Sequence, residues 1–395
     1  MAYVKRIEDD PRYRQALGMS IEVVANMLKF DHHLKRTGSR GGWAFEGPCP
    51  SQKCVGDPGN DDRFGLDITR QIWNCRKCDG GDQIHLVRAV LGCGFGEALT
   101  FLCGEPGVEI DPAEIERREK EYADNQAKRE DENRRYRERM QKMGWRVWQE
   151  GLQAEGSLVR DYLELRGITK ALFPELPRKV LRFHPELNYA VEKIDGDGFE
   201  TIYTGPAMLA AMQGPDGRFF GVHRTWLDLD EPNGRLALEF MGQKLKTKKT
   251  LGSKKKSAIR LVKENCAPIL VVGEGIETVL SAYVARPEWL ADAAFWSGVD
   301  LYNMGGTRIT RGKGNKFKGI PNLDNTDCLI PPQGTKRLIY LKDGDPGQET
   351  HAKLLAGLRR AMHYVPGLKG QIIEPREGLD FNDMLQAPLD DGIEF

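Results

Sequence analysis

The chain has 395 residues, enough for about two to three domains at the usual roughly 100 to 200 residues each. Lys plus Arg and Asp plus Glu both number 58, so the net charge is zero and no global basic field marks a polyanion partner; such a signal has to be local. Because no apolar run approaches the ~18 residues of a membrane span and the start MAYVKRIEDDPRYRQ lacks a signal-peptide core, we expect a cytoplasmic protein with no membrane partner.

Two cysteine pairs lie in the N-terminal part. Four residues separate Cys49 from Cys54 and two separate Cys75 from Cys78, with turn-forming residues beside each pair. In a long chain such pairs indicate metal binding more than disulfides, and four thiolates suit one structural, tetrahedral Zn²⁺. We therefore predict a zinc ribbon in residues 1–107. The alternative is four reduced cysteines in a core.

The same segment carries basic and aromatic side chains that could neutralise and stack on a single nucleic-acid strand. An ordinary solvated surface with a packed tryptophan is an equally good interpretation. The side chains concerned are Arg63, Phe64, Arg70, Trp73, Arg76 and Lys77.

Residues 108–156 are dense in Glu, Lys and Arg at three- and four-residue spacing, which predicts a long exposed connector helix beginning near Pro112. Trp145 and Trp148 near its end would dock it onto the following domain.

Residues 157–264 begin with one short helix and continue with short β-rich segments separated by turns. This pattern predicts a compact α+β unit.

Two segments of the second half are basic and contain no acid. Met241 to Arg260 holds eight Lys or Arg residues, Lys254 among them, and Arg308 to Lys318 holds five, including Arg311 and Lys313. Such segments concentrate positive potential, as phosphate binding requires. The alternative is that they are solvated, mobile loops.

Residues 265–395 contain two short apolar runs that each end in carboxylates. Ile269 to Val272 leads into Glu274, and Arg337 to Leu341 leads into Asp343 and Asp345. Buried parallel strands have this character, and ligands collect at their carboxyl ends. If the strands are neighbours, the carboxylates converge and require a cation between them. We predict an α/β domain with a metal site here.

The combination resembles a DnaG-type primase, and more closely the short primase-like Toprim proteins of phages, prophages and plasmids. The resemblance covers about Ser20 to Leu385. It rests on Cys49-Pro50 with WNCRKC and Gly81-Asp82, Pro206-Ala-Met-Leu-Ala, Gly221-Val-His-Arg-Thr-Trp-Leu, Glu274-Gly275, Asp343-Gly-Asp345 and Asp380-Phe-Asn-Asp383.

The resemblance implies a multidomain α+β and α/β protein: zinc ribbon, charged connector helix, basic α+β subdomain and Rossmann-like Toprim α/β domain. It implies that Glu274 supports catalysis and that Asp343 and Asp345 bind Mg²⁺ or Mn²⁺, with two ions in the site. It further implies that the basic unit, through Arg224 and Lys249, guides template and nucleotide. The zinc module would help to select the template site.

The chain also departs from the family pattern. A further acid is expected four positions after Glu274, where Thr278 stands. The alternatives for Glu277 are that it substitutes for this acid or that it is a favourable charge in the first turn of a helix. Asp380 and Asp383 could approach the metal site, although helix capping explains Asp380 better. Few residues follow Met384, so we expect no helicase-binding domain, and a replicative helicase as a separate chain.

The primary hypothesis is a DNA primase that makes short RNA primers on single-stranded DNA from ribonucleoside triphosphates. A Toprim-type metal-dependent nuclease would use the same carboxylates. A third hypothesis is a non-catalytic adaptor that binds single-stranded DNA through the zinc ribbon. No G-x-x-x-x-G-K-[ST] loop occurs in the sequence, which argues against an ATPase or fused helicase.

Overall fold

The computed structural model describes residues 10–30, 34–36, 45–57, 63–68, 70–105, 112–193, 198–263, 267–310, 315–324, 326–344 and 347–387. The chain divides into two compact units, Met1–Arg134 and Arg135–Phe395, and each is described by itself. No single helix in the described ranges is long and apolar enough to cross a bilayer.

The first unit contains an antiparallel sheet whose strands neighbour one another in chain order. The helices are α1 (Pro11–Gly18), α2 (Ile21–Met27), α3 (Gln83–Leu91) and α4 (Phe95–Cys103). The strands are β1 (Lys35–Arg36), β2 (Phe45–Gly47), β3 (Phe64–Asp67), β4 (Ile72–Cys75) and β5 (Gly80–Gly81).

Aromatic packing between β3 and β4 forms the centre of this unit. Phe64 and Trp73 are each 1% exposed, and their rings stack with centroids 5.7 Å apart. Trp73 is therefore a core residue, and of the two interpretations of this segment the packed tryptophan is the one that the structure supports. Arg63 and Lys77 both form ion pairs with Asp57, at 3.1 and 2.5 Å.

The charged segment forms helix α5 (Pro112–Glu150), as its charge spacing predicts. The last turns of this helix belong to the second unit. There Trp148 is 4% exposed in an apolar cluster with Leu187 and Trp226, and the ring of Trp145 lies 5.1 Å from that of Phe219. The predicted docking of both tryptophans onto the following sheet is confirmed.

The second unit begins with an antiparallel sheet in the order β12-β9-β8-β7-β6. We call it the antiparallel sheet below. Its strands are β6 (Leu152–Gln153), β7 (Leu181–Glu192), β8 (Phe199–Gln213), β9 (Phe219–Trp226) and β12 (Lys248–Gly252). Helix α6 (Leu158–Leu165) precedes β7, and a small hairpin of β10 (Glu239–Phe240) and β11 (Gln243–Lys244) precedes β12.

A second, mainly parallel sheet follows, in the order β13-β15-β14-β16-β17, with β13 antiparallel to its neighbour. Its strands are β13 (Ile259–Val262), β14 (Ile269–Gly273), β15 (Ala294–Ser297), β16 (Arg337–Leu341) and β17 (Lys369–Ile373). The helices are α7 (Ile276–Val284), α8 (Leu301–Gly305), α9 (Gln348–Tyr364) and α10 (Phe381–Gln386), with short 3-10 turns at Glu288–Leu290 and Asn315–Phe317.

One apolar cluster joins the two sheets of the second unit. It includes Met208 of β8, Val271 of β14, Val279 of α7 and Ile339 of β16, all without exposed surface. The two predicted carboxylate strands are confirmed as β14 and β16, and they pair directly in parallel, with Val272 opposite Tyr340. Their carboxyl ends therefore lie side by side.

Candidate metal centres and active site

The four predicted zinc cysteines lie together in the first unit. Their sulfur atoms are all within 4.8 Å of one another, with Cys49 Sγ 3.6 Å from Cys78 Sγ and Cys54 Sγ 3.9 Å from Cys75 Sγ. Tetrahedral Zn–S bonds of ~2.3 Å place sulfur atoms about 3.8 Å apart. The cluster can therefore bind one zinc ion.

The turn after β4 favours a thiolate in this cluster. Burial raises the pKa of Cys75, but backbone N–H donors of Cys78 and Lys77 outweigh that effect and lower the pKa to about 7. The Lys77 N–H donates to the sulfur over 3.4 Å. Burial raises the pKa of Cys49, whose neighbours Cys75 and Cys78 add to the rise. The four thiols would therefore need a cation to ionise together.

Glu274 follows β14 in the second unit, at the carboxyl end of the parallel sheet. The Leu301 backbone N–H donates to its carboxylate, and Ser297 Oγ donates to its carbonyl over 2.6 Å. Burial, followed by the charges of Asp343 and Asp300, raises the pKa of Glu274 to about 7. A cation bound beside this carboxylate would displace its proton, because a nearby positive charge favours the ionised form.

Asp343 follows β16 and is oriented by a hydroxyl. Thr278 Oγ1, at the start of α7, donates to its carboxylate over 3.3 Å. Burial raises the pKa of Asp343 and the charge of Asp380 adds to this, while the Thr278 bond lowers it. A Cβ at Gly344 would overlap the Leu379 carbonyl, so a glycine lets the turn pack close to Asp380. Asp345, the third predicted carboxylate, lies outside the described residues.

Glu274 and Asp343 line one cavity of about 450 Å³. Asp380 and Asp383 of α10 line it too, although Asp380 also caps that helix by accepting from Asn382 and Asp383 N–H groups. The cations of its wall are Arg166, Arg235 and Lys248, which come from outside the parallel sheet, and His223 lines the same wall. Burial lowers the pKa of His223 to about 3, so this histidine is neutral at physiological pH.

Glu277 lines the same cavity, but its carboxylate is already engaged by two donors. It is 5% exposed, and its carboxylate accepts hydrogen bonds from Tyr162 Oη and, over 2.8 Å, from Lys248 Nζ. Burial raises the pKa of Glu277, but the Lys248 charge and these bonds outweigh it and hold the pKa well below the usual range. Glu277 therefore forms a buried ion pair with Lys248, and Thr278 is the residue that donates to Asp343.

The predicted basic residues are distributed over several places. Arg224 and Lys249 form a cross-strand pair on the face of the antiparallel sheet that carries Trp226, and neither lines the cavity. Lys249 Nζ donates to the Ala190 carbonyl over 2.7 Å and lies 3.6 Å from the ring centroid of Tyr189. Lys254 Nζ pairs with Asp300 at 2.5 Å. Arg311 and Lys313 lie outside the described residues.

Sequence reasoning missed the cationic wall of the cavity. Lys248 was one basic residue among eight in its segment, and only strand alternation separates its face from that of Lys249. Arg166 ends α6, more than a hundred residues before Glu274, and Asn382 Nδ2 of α10 donates to its carbonyl over 2.7 Å. No local pattern reveals such a contact.

Comparison with protein families gives one match. Residues 138–261 match a family described as "Domain of unknown function (DUF7146)". The match covers the antiparallel sheet and most of β13. No curated protein matches the chain significantly.

Comparison with solved structures finds primase domains. The zinc-binding and RNA polymerase domains of the Aquifex aeolicus primase are 15% identical; the match covers 95% of this chain and 81% of that chain, at a TM-score of 0.32. A DnaG primase catalytic domain bound to ssDNA is 14% identical, with 66% and 78% covered and a TM-score of 0.39. A DNA primase domain from Pseudomonas aeruginosa is 13% identical, with 62% and 74% covered and a TM-score of 0.36. At TM-scores this low, the likeness to these structures carries no functional conclusion.

Proposed function

We propose that the protein is a DNA primase, which makes short RNA primers on single-stranded DNA by metal-dependent nucleotidyl transfer. The observation that carries this proposal is the cavity in which Glu274 and Asp343 end adjacent parallel strands opposite Arg166, Arg235 and Lys248. Carboxylates that bind divalent cations, facing side chains that bind phosphates, suit phosphoryl transfer. The motif resemblance to DnaG-type primases specifies the reaction.

The donor set fits Mg²⁺ or Mn²⁺ better than a softer ion, because carboxylate oxygens are hard donors. Among the described residues, no three carboxylates lie together within 4.8 Å as the four cysteines do. Mg²⁺ commonly takes one or two carboxylates and completes its shell with water and substrate phosphates. Glu274, Asp343 and Asp345 would hold two such ions, which activate the 3′-hydroxyl and neutralise phosphate charge when bound.

Neighbouring hydrogen-bond donors orient two of these carboxylates. Thr278 orients Asp343, and the Leu301 N–H orients Glu274. The cationic wall would take the phosphates of the incoming ribonucleotide. The primer 3′-oxygen attacks the α-phosphorus, the bond to the bridging oxygen breaks, and pyrophosphate leaves. We propose that the single-stranded template contacts Arg224 and Lys249, whose side chains are only partly buried on the opposite face of the antiparallel sheet.

In this proposal the four cysteines hold one structural zinc ion, and the first unit helps to select the template site. A replicative helicase would act as a separate partner chain in the cytoplasm.

The test is incubation with single-stranded DNA, labelled ribonucleotides and Mg²⁺ or Mn²⁺, beside Glu274→Gln and Asp343→Asn. We expect short RNA from the wild type, and a loss of at least about 100-fold in either variant. Glu274-dependent degradation of the DNA without RNA would identify a nuclease. Equal binding of single-stranded DNA by all three proteins, with neither RNA synthesis nor DNA degradation, would favour the non-catalytic adaptor.

A further inference from the structure

Lys248 is the first residue of β12 and lies on the cavity side of the antiparallel sheet. It is paired with Thr225 of β9, whereas Lys249 is paired with Arg224, so consecutive lysines are on opposite faces. The Lys248 side chain is 29% exposed, and it lines the cavity with Glu274 and Asp343. Its charge acts on both of these carboxylates and on Glu277.

A nearly buried carboxylate of the same cavity wall, that of Glu277, holds the Lys248 ammonium group. Glu277 accepts from Lys248 Nζ over 2.8 Å and from the hydroxyl of Tyr162, a residue with no exposed surface. An ammonium group has three N–H donors. Within the described part of the chain, Glu277 is the one hydrogen-bond partner of Lys248 Nζ. Two donors are therefore left for a ligand in the cavity.

An ion pair that only stabilises the fold is the simpler explanation of this contact. Buried ion pairs contribute little net stability compared with apolar residues of similar volume, so stability alone is a weak reason for one. Its place at the cavity wall, near Arg235 and facing two carboxylates, suits a ligand that brings several negative charges. A nucleoside triphosphate is such a ligand, and about 450 Å³ is in the range of small-molecule sites.

We propose that Lys248 binds the triphosphate of the incoming nucleotide, and that Glu277 and Tyr162 are positioning residues that hold its ammonium group towards the cavity. This inference rests on the proposed primase function. It separates two tasks that the basic segment could have shared: Lys248 contacts the nucleotide, while Lys249, on the other face, contacts the template.

The test compares Lys248→Met, Lys248→Arg, Glu277→Gln and Tyr162→Phe with Lys369→Met. Lys369 is an exposed lysine at the amino end of β17, away from the carboxylate end of the same sheet. Binding of a fluorescent ATP analogue with Mg²⁺ is measured without DNA, and the KM for ribonucleotides is measured in primer synthesis. Denaturant unfolding shows that each variant folds.

We expect Lys248→Met to raise the nucleotide Kd and KM at least about 10-fold, because the variant loses one charge-assisted contact to the nucleotide. Lys248→Arg should recover part of this loss. Glu277→Gln and Tyr162→Phe should raise KM several-fold with a smaller change in kcat, and Lys369→Met should match the wild type. If Lys248→Met does not fold, the nucleotide Kd and KM of Lys248→Arg and Glu277→Gln test the inference instead.

A folded Lys248→Met protein with the wild-type Kd for the nucleotide would overturn the inference, and so would weaker single-stranded DNA binding at an unchanged nucleotide Kd. Failure of the primase proposal gives a different result. If the wild type binds nucleotide through Lys248 but makes no RNA, the reaction is wrong and the binding role stands. If it makes RNA and the variants keep its KM, only the role of Lys248 is wrong.

Discussion

Lys248 and Lys249 are consecutive in β12, yet Lys248 lines the carboxylate cavity and Lys249 lies on the far side of the sheet, 3.6 Å from the ring centroid of Tyr189. The alternation of a β-strand causes this separation. It gives each lysine a different environment and, in the proposed enzyme, a different ligand.

Lys249→Ala is expected to weaken single-stranded DNA binding without changing the nucleotide Kd. Loss of one phosphate contact should reduce the slope of log K against log salt by about 1. The measurement is a fluorescence-anisotropy titration with an oligonucleotide at several salt concentrations, with Lys369→Ala as the control. A changed nucleotide Kd and an unchanged salt slope would show that Lys249 does not contact the template.

Glu274 should make the metal-free protein less stable as the pH rises. Its pKa is raised from an ordinary 4.5 to about 7, so the folded state binds its proton more tightly than the unfolded state does. The stabilisation is complete below the ordinary value and is lost as the pH rises through about 7. Glu274→Gln should therefore gain about 1–2 kcal/mol over the wild type between pH 5 and 8, after allowance for solvent screening.

Urea unfolding in EDTA at several pH values measures this difference. Mg²⁺ should restore wild-type stability at pH 8, because it binds the ionised folded form. Glu288→Gln, at an exposed glutamate on a 3-10 turn, is the control and should follow the wild type. A pH profile of Glu274→Gln parallel to that of the wild type would mean that Glu274 ionises normally.

Cys75→Ser should lose about one Zn²⁺ per chain, because a serine hydroxyl does not replace a thiolate ligand. The first unit should also become sensitive to proteolysis, since structural zinc sites contribute folding energy. Cys93→Ser is a matched control, as Cys93 lies between α3 and α4 and outside the four-cysteine cluster. The measurement is the zinc content of the purified wild type, Cys75→Ser and Cys93→Ser. The same zinc content in all three proteins would contradict a zinc site at the four cysteines.

Arg360 is expected to be a strong stability determinant of the second unit. Its side chain has no exposed surface and donates to the backbone carbonyls of Gly305, Thr307 and Asn322. Arg360→Ala would leave these carbonyls without a donor and create a cavity, so we expect a loss of about 3–4 kcal/mol in the free energy of unfolding. The neighbouring Arg359 also donates to carbonyls but is exposed, and Arg359→Ala should cost less than about 1 kcal/mol. Equal losses would contradict this assignment.

The elements of the site were predictable because local patterns encode them. The apolar runs of β14 and β16 indicated parallel strands, and their ends positioned Glu274 and Asp343. The paired spacing of Cys49, Cys54, Cys75 and Cys78 indicated the cluster that the structure contains.

The rest depends on contacts between distant residues. Trp73 could have faced solvent or the core, and only its stacking on Phe64 settles this. Alternation predicts that Lys248 and Lys249 face opposite ways, but only the packing of the antiparallel sheet decides which one meets the carboxylates. The hydrogen bond that Glu277 accepts from Tyr162, in a helix more than a hundred residues earlier, has no local signal in the sequence.

Nucleotidyl transfer at the Glu274 site is tested most directly by measuring pyrophosphate release and RNA length in one reaction. The reaction contains single-stranded DNA, ribonucleoside triphosphates and Mg²⁺. We expect one pyrophosphate per phosphodiester bond formed, template-dependent short RNA, and at least about 100-fold less of both with Glu274→Gln. Template shortened to fragments without pyrophosphate, or RNA made equally well by Glu274→Gln, would contradict it.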